Sequence, residues 1–199
     1  MKHILHIISS IQPKESYSIQ LGNAIIEKIQ EKYPNSTVEE SNLVGLEIPH
    51  LNPESLRKLF TPKEYLNEEE KESIKFSDNL LQQLQMADII VIGAPLYNFT
   101  IHSALKAWID QIVRPGIAFT YSEEGIVGLI KNKKAYLALS SGGVYSDGLS
   151  HFSEYALNHL KTVLEFIGIT DVSTYRAEGL AYPSLMDTAL TKAISSIEI

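Results

Sequence analysis

The sequence predicts a doubly wound α/β fold: one five-stranded parallel sheet with helices on both faces. Three observations predict it. Of five short apolar segments, most are nearly continuous rather than alternating, as strands covered on both faces should be. Segments of helical period separate them. The two kinds of segment alternate along the chain, and that alternation requires parallel strands joined by right-handed crossovers.

The strands are expected at Lys2–Ile8, Thr37–Leu43, Asp88–Ala94, Lys134–Ser140 and Val172–Ala177. After the first, Leu21, Ile25 and Ile29 recur every four residues with Ala24 beside them, which marks an amphipathic helix. Ile101, Leu105, Trp108, Ile109 and Ile112 form a second apolar stripe. Leu157, Leu160, Leu164 and Ile167 form another, and Gly168 stands where a helix-ending glycine belongs. The stretch from Pro49 to Gln85 is longer than one crossover needs. Its segment "TPKEYLNEEEKES" reads as a solvated helical insertion, acidic residues occupying early helical turns as the helix dipole prefers, and no chemistry is assigned to it.

With 199 residues and 44% hydrophobic content, the chain can bury a full core, and one domain over 1–199 is expected. A formal charge of -7, from 17 basic and 24 acidic residues, argues against a nucleic-acid partner. The absence of cysteine excludes disulfides, thiolate nucleophiles and cysteine-bound metals, so redox chemistry would need a cofactor. "HILHII" begins at His3, too early for a preceding signal peptide, and no run approaches membrane-spanning length; a cytoplasmic protein without a membrane partner is expected. His3 and His6 fall on opposite faces of a strand, and His159 has no ligand at helical-turn spacing, so no metal site is expected. "LSSGG" lacks the spacing of a G-x-S-x-G nucleophile elbow.

In the strand order 2-1-3-4-5, ligands bind beyond the carboxyl ends of strands 1, 3 and 4. Three loops converge there: Ser9–Ser18, Pro95–Ser103 and Ser140–Gly148. The first runs into a helix, whose free N–H groups and dipole make an anion site to which Ser10, Ser16 and Ser18 add donors; an ordinary loop with a serine cap is the alternative. Lacking both G-K-[ST] and G-x-G-x-x-G, it suits a mononucleotide. In the third loop, Gly142 and Gly143 let backbone approach a flat ligand, or else serve a tight turn. In the second, Pro95 directs an extended backbone whose exposed N–H and C=O groups suit the rim of a planar heterocycle. Tyr97 and Phe99 would wall it, or else fill the core beneath a turn.

Taken together, "SSIQPKESYS", "LYNF" and "SSGG" resemble, in order and spacing, the flavin-binding segments of FMN-dependent NADH:quinone oxidoreductases, also called azoreductases, of flavodoxin-like fold. The resemblance extends through "LKAWIDQIVRPGIAFTYSEEGIVGL" and "FIGITDV" and covers almost the whole chain. It implies a homodimer with one FMN per subunit. Phosphate contacts would fall to Ser10, Ser16, Tyr17 and Ser18, and ring contacts to Pro95, Leu96, Tyr97, Asn98, Phe99, Ser140, Ser141, Gly142 and Gly143. Leu96 stands where many relatives have methionine, and Ser141 where some have arginine, which bears on the attraction of anionic substrates. Tyr145 stands where some have histidine, and its hydroxyl is a candidate donor to the pyrimidine edge.

The implied activity is hydride transfer from NADH or NADPH to the flavin and then, from the same face, to a quinone or azo compound, in ping-pong order. No catalytic side chain is required; the Gly142 and Gly143 N–H groups are assigned to the negative charge of the reduced ring. The alternative is a non-enzymatic, one-electron carrier. The segment "RPGIAFTYSEEGIVG" favours the enzyme, since Phe119 could stack on a flat substrate. Leu59, Phe60, Phe119 and Ile126 are expected to be more apolar surface than one domain buries, in keeping with a dimer.

Overall fold

The computed structural model describes residues 1–12, 15–123, 125–146 and 153–199. Its central sheet is built from β1 (His3–Ile8), β2 (Thr37–Asn42), β3 (Ile89–Pro95), β6 (Lys134–Ser140) and β7 (Asp171–Ala177). All pairs are parallel and the order is β2-β1-β3-β6-β7, which for these strands is 2-1-3-4-5 as expected. Each strand boundary lies within one residue of the sequence reading. For β1, β3 and β6 the reason is physical: they are buried at almost every position, and a strand buried on both faces is apolar throughout, whereas the edge strand β2 is exposed at five of its six positions and β7 is half-buried.

Helices cover both faces. α1 (Tyr17–Lys32) and α7 (Pro183–Ser195) lie on one, where Leu21, Ile25, Ile29 and Ala193 pack on Ile4, Val91, Tyr136 and Ala138. α4 (Lys75–Met86), α5 (Ser103–Ile112) and α6 (Ala156–Ile167) lie on the other, packing Leu84, Trp108 and Leu160 on Leu5, Ile7, Ile90 and Leu137. Ile101 belongs to this core but precedes α5 rather than forming part of it. Gly168 ends α6 at a φ of 104°, the left-handed value that a β-carbon disfavours.

The stretch from Pro49 to Gln85 holds more than a solvated insertion. α2 (Pro53–Phe60) and α3 (Glu68–Ser73) each begin with a capping box, Asn52 with Ser55 and Asn67 with Glu70, and α4 is the crossover into β3. A buried polar cluster ties the insertion to the body. Arg114, 2% exposed, donates to Asp78 (2.6 Å), Ser77 (3.2 Å) and the Leu59 carbonyl (3.4 Å). Burial pushes the Asp78 carboxyl up, but the bonds from Lys63 and Arg114 outweigh it and hold the group below its ordinary value.

The segment after α5 is an antiparallel hairpin, β4 (Phe119–Ser122) and β5 (Gly125–Gly128), which the sequence reading did not anticipate. Its short strands lack a long apolar run. Two expectations for it and the insertion need correction. Phe119 is 3% exposed and packs at 4.6 Å between ring centroids on Phe166, while Leu59 is 4% exposed. Both side chains are buried within the chain itself. Phe60 and Ile126 are exposed as expected, and the exposed aromatic of the hairpin is Tyr121.

Candidate functional site

The carboxyl ends of β1, β3 and β6 open into a cleft of about 290 Å³. Ser10, Ser16 and Tyr17 line it from the first loop, Pro95, Leu96 and Tyr97 from the second, and Ser140, Ser141 and Gly142 from the third. These are nine of the expected site residues, brought together by three separate crossovers. Gln12, Leu180 and Ala181 also line it. The sequence reading missed them, and the last two had a readable signal: "EGLAY" follows the fifth strand, whose carboxyl end opens on the same edge of the sheet.

α1 enters the cleft at its N-terminus. Ser16 occupies the cap position with an extended backbone, yet its hydroxyl caps nothing. It lies 3.0 Å from the Ser18 hydroxyl, and the first intrahelical bond here is Gln20 N–H to the Ser16 carbonyl. The amides of Tyr17, Ser18 and Ile19 are thus the orphan donors of a helix start. Both serines are buried, and Ser18 sits behind Ser16 rather than on the cleft wall. Gly93 makes this placement possible: a β-carbon there would stand 3.3 Å from the Ser18 carbonyl oxygen. Ser9 donates to the Gly93 carbonyl at 2.8 Å, tying the first loop to β3, and the Ser10 hydroxyl accepts from Gln12 N–H. Pro13 and Lys14 of this loop lie outside the described residues.

The second loop differs from the extended edge expected of it. The backbone stays extended only through Leu96, whose N–H donates to the Ser140 carbonyl at 2.8 Å. Tyr97 and Thr100 then exchange both backbone hydrogen bonds, with Asn98 at φ 48° and Phe99 at φ 69°. Two consecutive positive φ values make a tight turn of the kind that joins antiparallel strands. For Phe99 this conformation costs about 1–2 kcal/mol. Asn98 and Phe99 therefore form the crest of the turn beside the cleft rather than its lining, and Phe99 is 55% exposed. Tyr97 does face the cleft; its hydroxyl accepts from Ile11 N–H at 3.4 Å, and its ring stands edge-on to His102.

In the third loop, neither Gly142 nor Gly143 adopts a positive φ. Space around both is close instead. A β-carbon on Gly143 would meet the Tyr145 ring at 2.9 Å, and one on Gly142 would lie 3.3 Å from Ala181. Their carbonyls accept from Gly179 and Ala181, so the loop is bonded to the one after β7. Tyr145 packs its ring over Gly143, outside the cleft lining. Residues 147–152, which include the end of the expected third loop, lie outside the described residues. Phe119, expected as a stacking wall, belongs to the core of the chain and lies apart from this cleft; it sits at the base of the hairpin, where an apolar ring is held against α6. Among the described residues, no group of three or more metal-ligating side chains forms, and no helix is long and apolar enough to cross a membrane.

A doubly wound sheet with a helix N-terminus and paired loops at its switch point defines a mononucleotide-binding α/β protein. The family model for the flavodoxin-like fold matches residues 2–198. An FMN-dependent NADH:quinone oxidoreductase of Herminiimonas arsenicoxydans is 39% identical over 198 residues, covering 99% of this chain and 97% of that protein. Among solved structures, an azoreductase from Bacillus anthracis strain Sterne superimposes with a TM-score of 0.89 at 32% identity, covering 98% of this chain and 96% of that one. An FMN-dependent NADH-azoreductase from Bacillus anthracis Ames Ancestor, solved in complex with FMN, gives 0.83 at 29% identity, covering 98% and 97%. The chain belongs to the family of FMN-dependent NADH:quinone oxidoreductases, enzymes of flavodoxin-like fold.

Proposed function

We propose that this chain, as one domain over residues 1–199, is a cytoplasmic homodimeric enzyme that binds FMN and passes two electrons from NADH or NADPH to quinones and azo compounds in ping-pong order. The observation that carries the reading is the cleft itself, where an uncapped helix start and the loops after β3 and β6 converge in a chain with close FMN-dependent relatives. The donors suit one phosphate. Tyr17, Ser18 and Ile19 offer backbone N–H groups and Ser10 and Ser16 offer hydroxyls, a set matched to a dianion at the positive end of a helix dipole. Leu96 and Tyr97 supply walls for a flat ring; the carbonyls from Ser140 to Gly143 already accept from Leu96, Leu180, Ala181 and Gly179, so what the third loop offers a polar rim is N–H groups, that of Gly142 on the cleft wall and that of Gly143 next to it.

FMN, when bound, supplies the two-electron chemistry, taking hydride from the nicotinamide and yielding it to the acceptor. The protein's part is to bind, to orient and to place donors where negative charge develops, the role assigned to the Gly142 and Gly143 N–H groups. The Tyr145 ring packs on Gly143, and its hydroxyl remains the candidate donor to the pyrimidine edge. A cleft of about 290 Å³ is at the lower limit of the roughly 300–1,000 Å³ that enclose small ligands. Exposed Phe60, Phe99, Tyr121 and Ile126 offer apolar surface for a second copy.

Titration of apoprotein with FMN and FAD is the primary test. Tight binding of FMN alone is expected, and Ser16→Ala should weaken it by about 0.5–1.5 kcal/mol; a protein that binds neither flavin overturns the reading. Initial-rate lines at several quinone concentrations should be parallel, whereas intersecting lines would mean two separate substrate sites. A one-electron carrier would instead give slow turnover with NADH and a stable one-electron state. Sedimentation of a fully active monomer would remove the dimer from the proposal.

A further inference from the structure

Behind the third loop lies a charged cluster that the proposed reaction does not use. Arg176, on edge strand β7, pairs with Leu139 of β6 in register, and Ala177 pairs with Ser140 of the cleft wall. Its guanidinium donates to Glu154 at 2.8 Å and to Glu178 at 3.2 Å. The three side chains are 17%, 6% and 11% exposed, so the cluster is largely withdrawn from water.

Each carboxylate has a second task. Glu154 accepts the N–H of Leu157 at 2.7 Å and so holds the start of α6, whose cap residue Tyr155 offers no side-chain bond. Glu178 accepts the N–H groups of Tyr145 at 3.0 Å and Ser146 at 3.3 Å, and so holds the third loop where Tyr145 packs on Gly143. The space between Arg176, Glu154 and the cleft residues Leu96, Ser140 and Ser141 is only about 10 Å³, barely the size of one water. Packing that tight transmits displacement rather than absorbing it.

A buried cluster of two acids and one base is not the most stable way to fill such a space; apolar side chains of similar size commonly do as well or better. It also leaves one net negative charge behind the loop. We propose that Glu154, Arg176 and Glu178 form a positioning clamp that fixes the Ser140–Ser146 loop against the flavin and sets, through its residual charge, how readily the flavin is reduced. The clamp rests on the FMN reading above for its effect on the flavin, though not for its effect on the loop. Negative charge close to the site opposes the negative charge of the reduced ring and lowers the reduction potential.

Three variants and three readouts test it. Glu178→Gln keeps the side-chain length but puts an NH2 group, which cannot accept, where one carboxylate oxygen stands; Tyr145 and Ser146 donate to different oxygens, so one of the two N–H groups loses its partner. Arg176→Met removes the bridge; Arg176→Lys reaches one carboxylate in place of two. Hydrogen exchange at the Tyr145 and Ser146 amides, measured without flavin, should be faster in all three. FMN should bind about tenfold more weakly to Arg176→Met and by an intermediate factor to Arg176→Lys. The two-electron potential of the flavin should be more positive in Glu178→Gln than in the parent protein, a change that loss of rigidity alone does not dictate. If Arg176→Met fails to fold, Glu178→Gln and Arg176→Lys decide the matter. Unchanged amide exchange together with unchanged potential in these folded variants overturns the clamp. Failure of the parent protein to bind FMN would overturn the proposed function instead, while the exchange measurement would still judge the clamp.

Discussion

His6 is the group whose ionisation should most visibly weaken this protein in acid. It lies on β1, on the face toward α1, is 1% exposed, and its Nε2 has no hydrogen-bond partner among the described residues. Burial lowers its pKa from 6.5 to about 4. For a base, a lowered folded pKa means that the unfolded chain binds the proton first. Stability is therefore fully present above about pH 6.5 and is lost as pH falls from there towards 4, below which the loss levels off. The gap between those values, at 1.36 kcal/mol per pH unit, is worth about 3 kcal/mol. That is a large share of the 5–15 kcal/mol that holds most domains together. The assay is urea unfolding of the parent protein and His6→Leu at several pH values from 7 to 4. Other groups titrate in both proteins, so the difference between the two curves isolates His6. It should change by about 3 kcal/mol in favour of the leucine variant as the pH falls. Curves that stay parallel across the whole range would refute the reasoning, and would mean that His6 reaches water or a proton acceptor on folding.

Gly22→Ala would place a β-carbon 2.7 Å from the same His6 ring and should cost about 1–3 kcal/mol in urea unfolding, but less in a His6→Leu background because the two residues share one space. Arg114→Met leaves Asp78 with only Lys63, so the cost should fall toward the lower end of the roughly 3–5 kcal/mol typical of a broken buried pair, and limited proteolysis should cut within residues 49–66 first. Phe119→Ala should lower stability by about 3–5 kcal/mol through the cavity left against Phe166, equivalent to about 10 °C in Tm, while the affinity for quinone in the folded protein stays unchanged.

Sequence by itself determined the parallel sheet and most of the cleft, once the strand order 2-1-3-4-5, one that the alternation permits, was adopted. Strands buried on both faces must be apolar throughout, helices between them must carry one apolar stripe, and those two periodicities are written in consecutive residues such as Ile89–Ala94 and Leu21–Ile29. The cleft followed because loops after adjacent parallel strands open on the same edge, which is why Ser10, Ser16, Leu96, Tyr97, Ser140 and Gly142 converge. What tertiary structure alone decided concerns contacts between segments far apart in the chain, where no local period exists. Phe119 and Tyr121 share one face of a short strand, and only the position of α6 makes one of them core and the other surface. Whether Asn98 and Phe99 extend a strand or close a turn depends on the reciprocal bonds between Tyr97 and Thr100, and Phe99 is a residue whose own preference argues against the turn. The contribution of Leu180 and Ala181 depends on backbone bonds to Ser141 and Gly142 nearly forty residues earlier. Arg176 reads in sequence as one more charge on an edge strand; it becomes a buried bridge only when the fold sets Glu154 and Glu178 on either side of it.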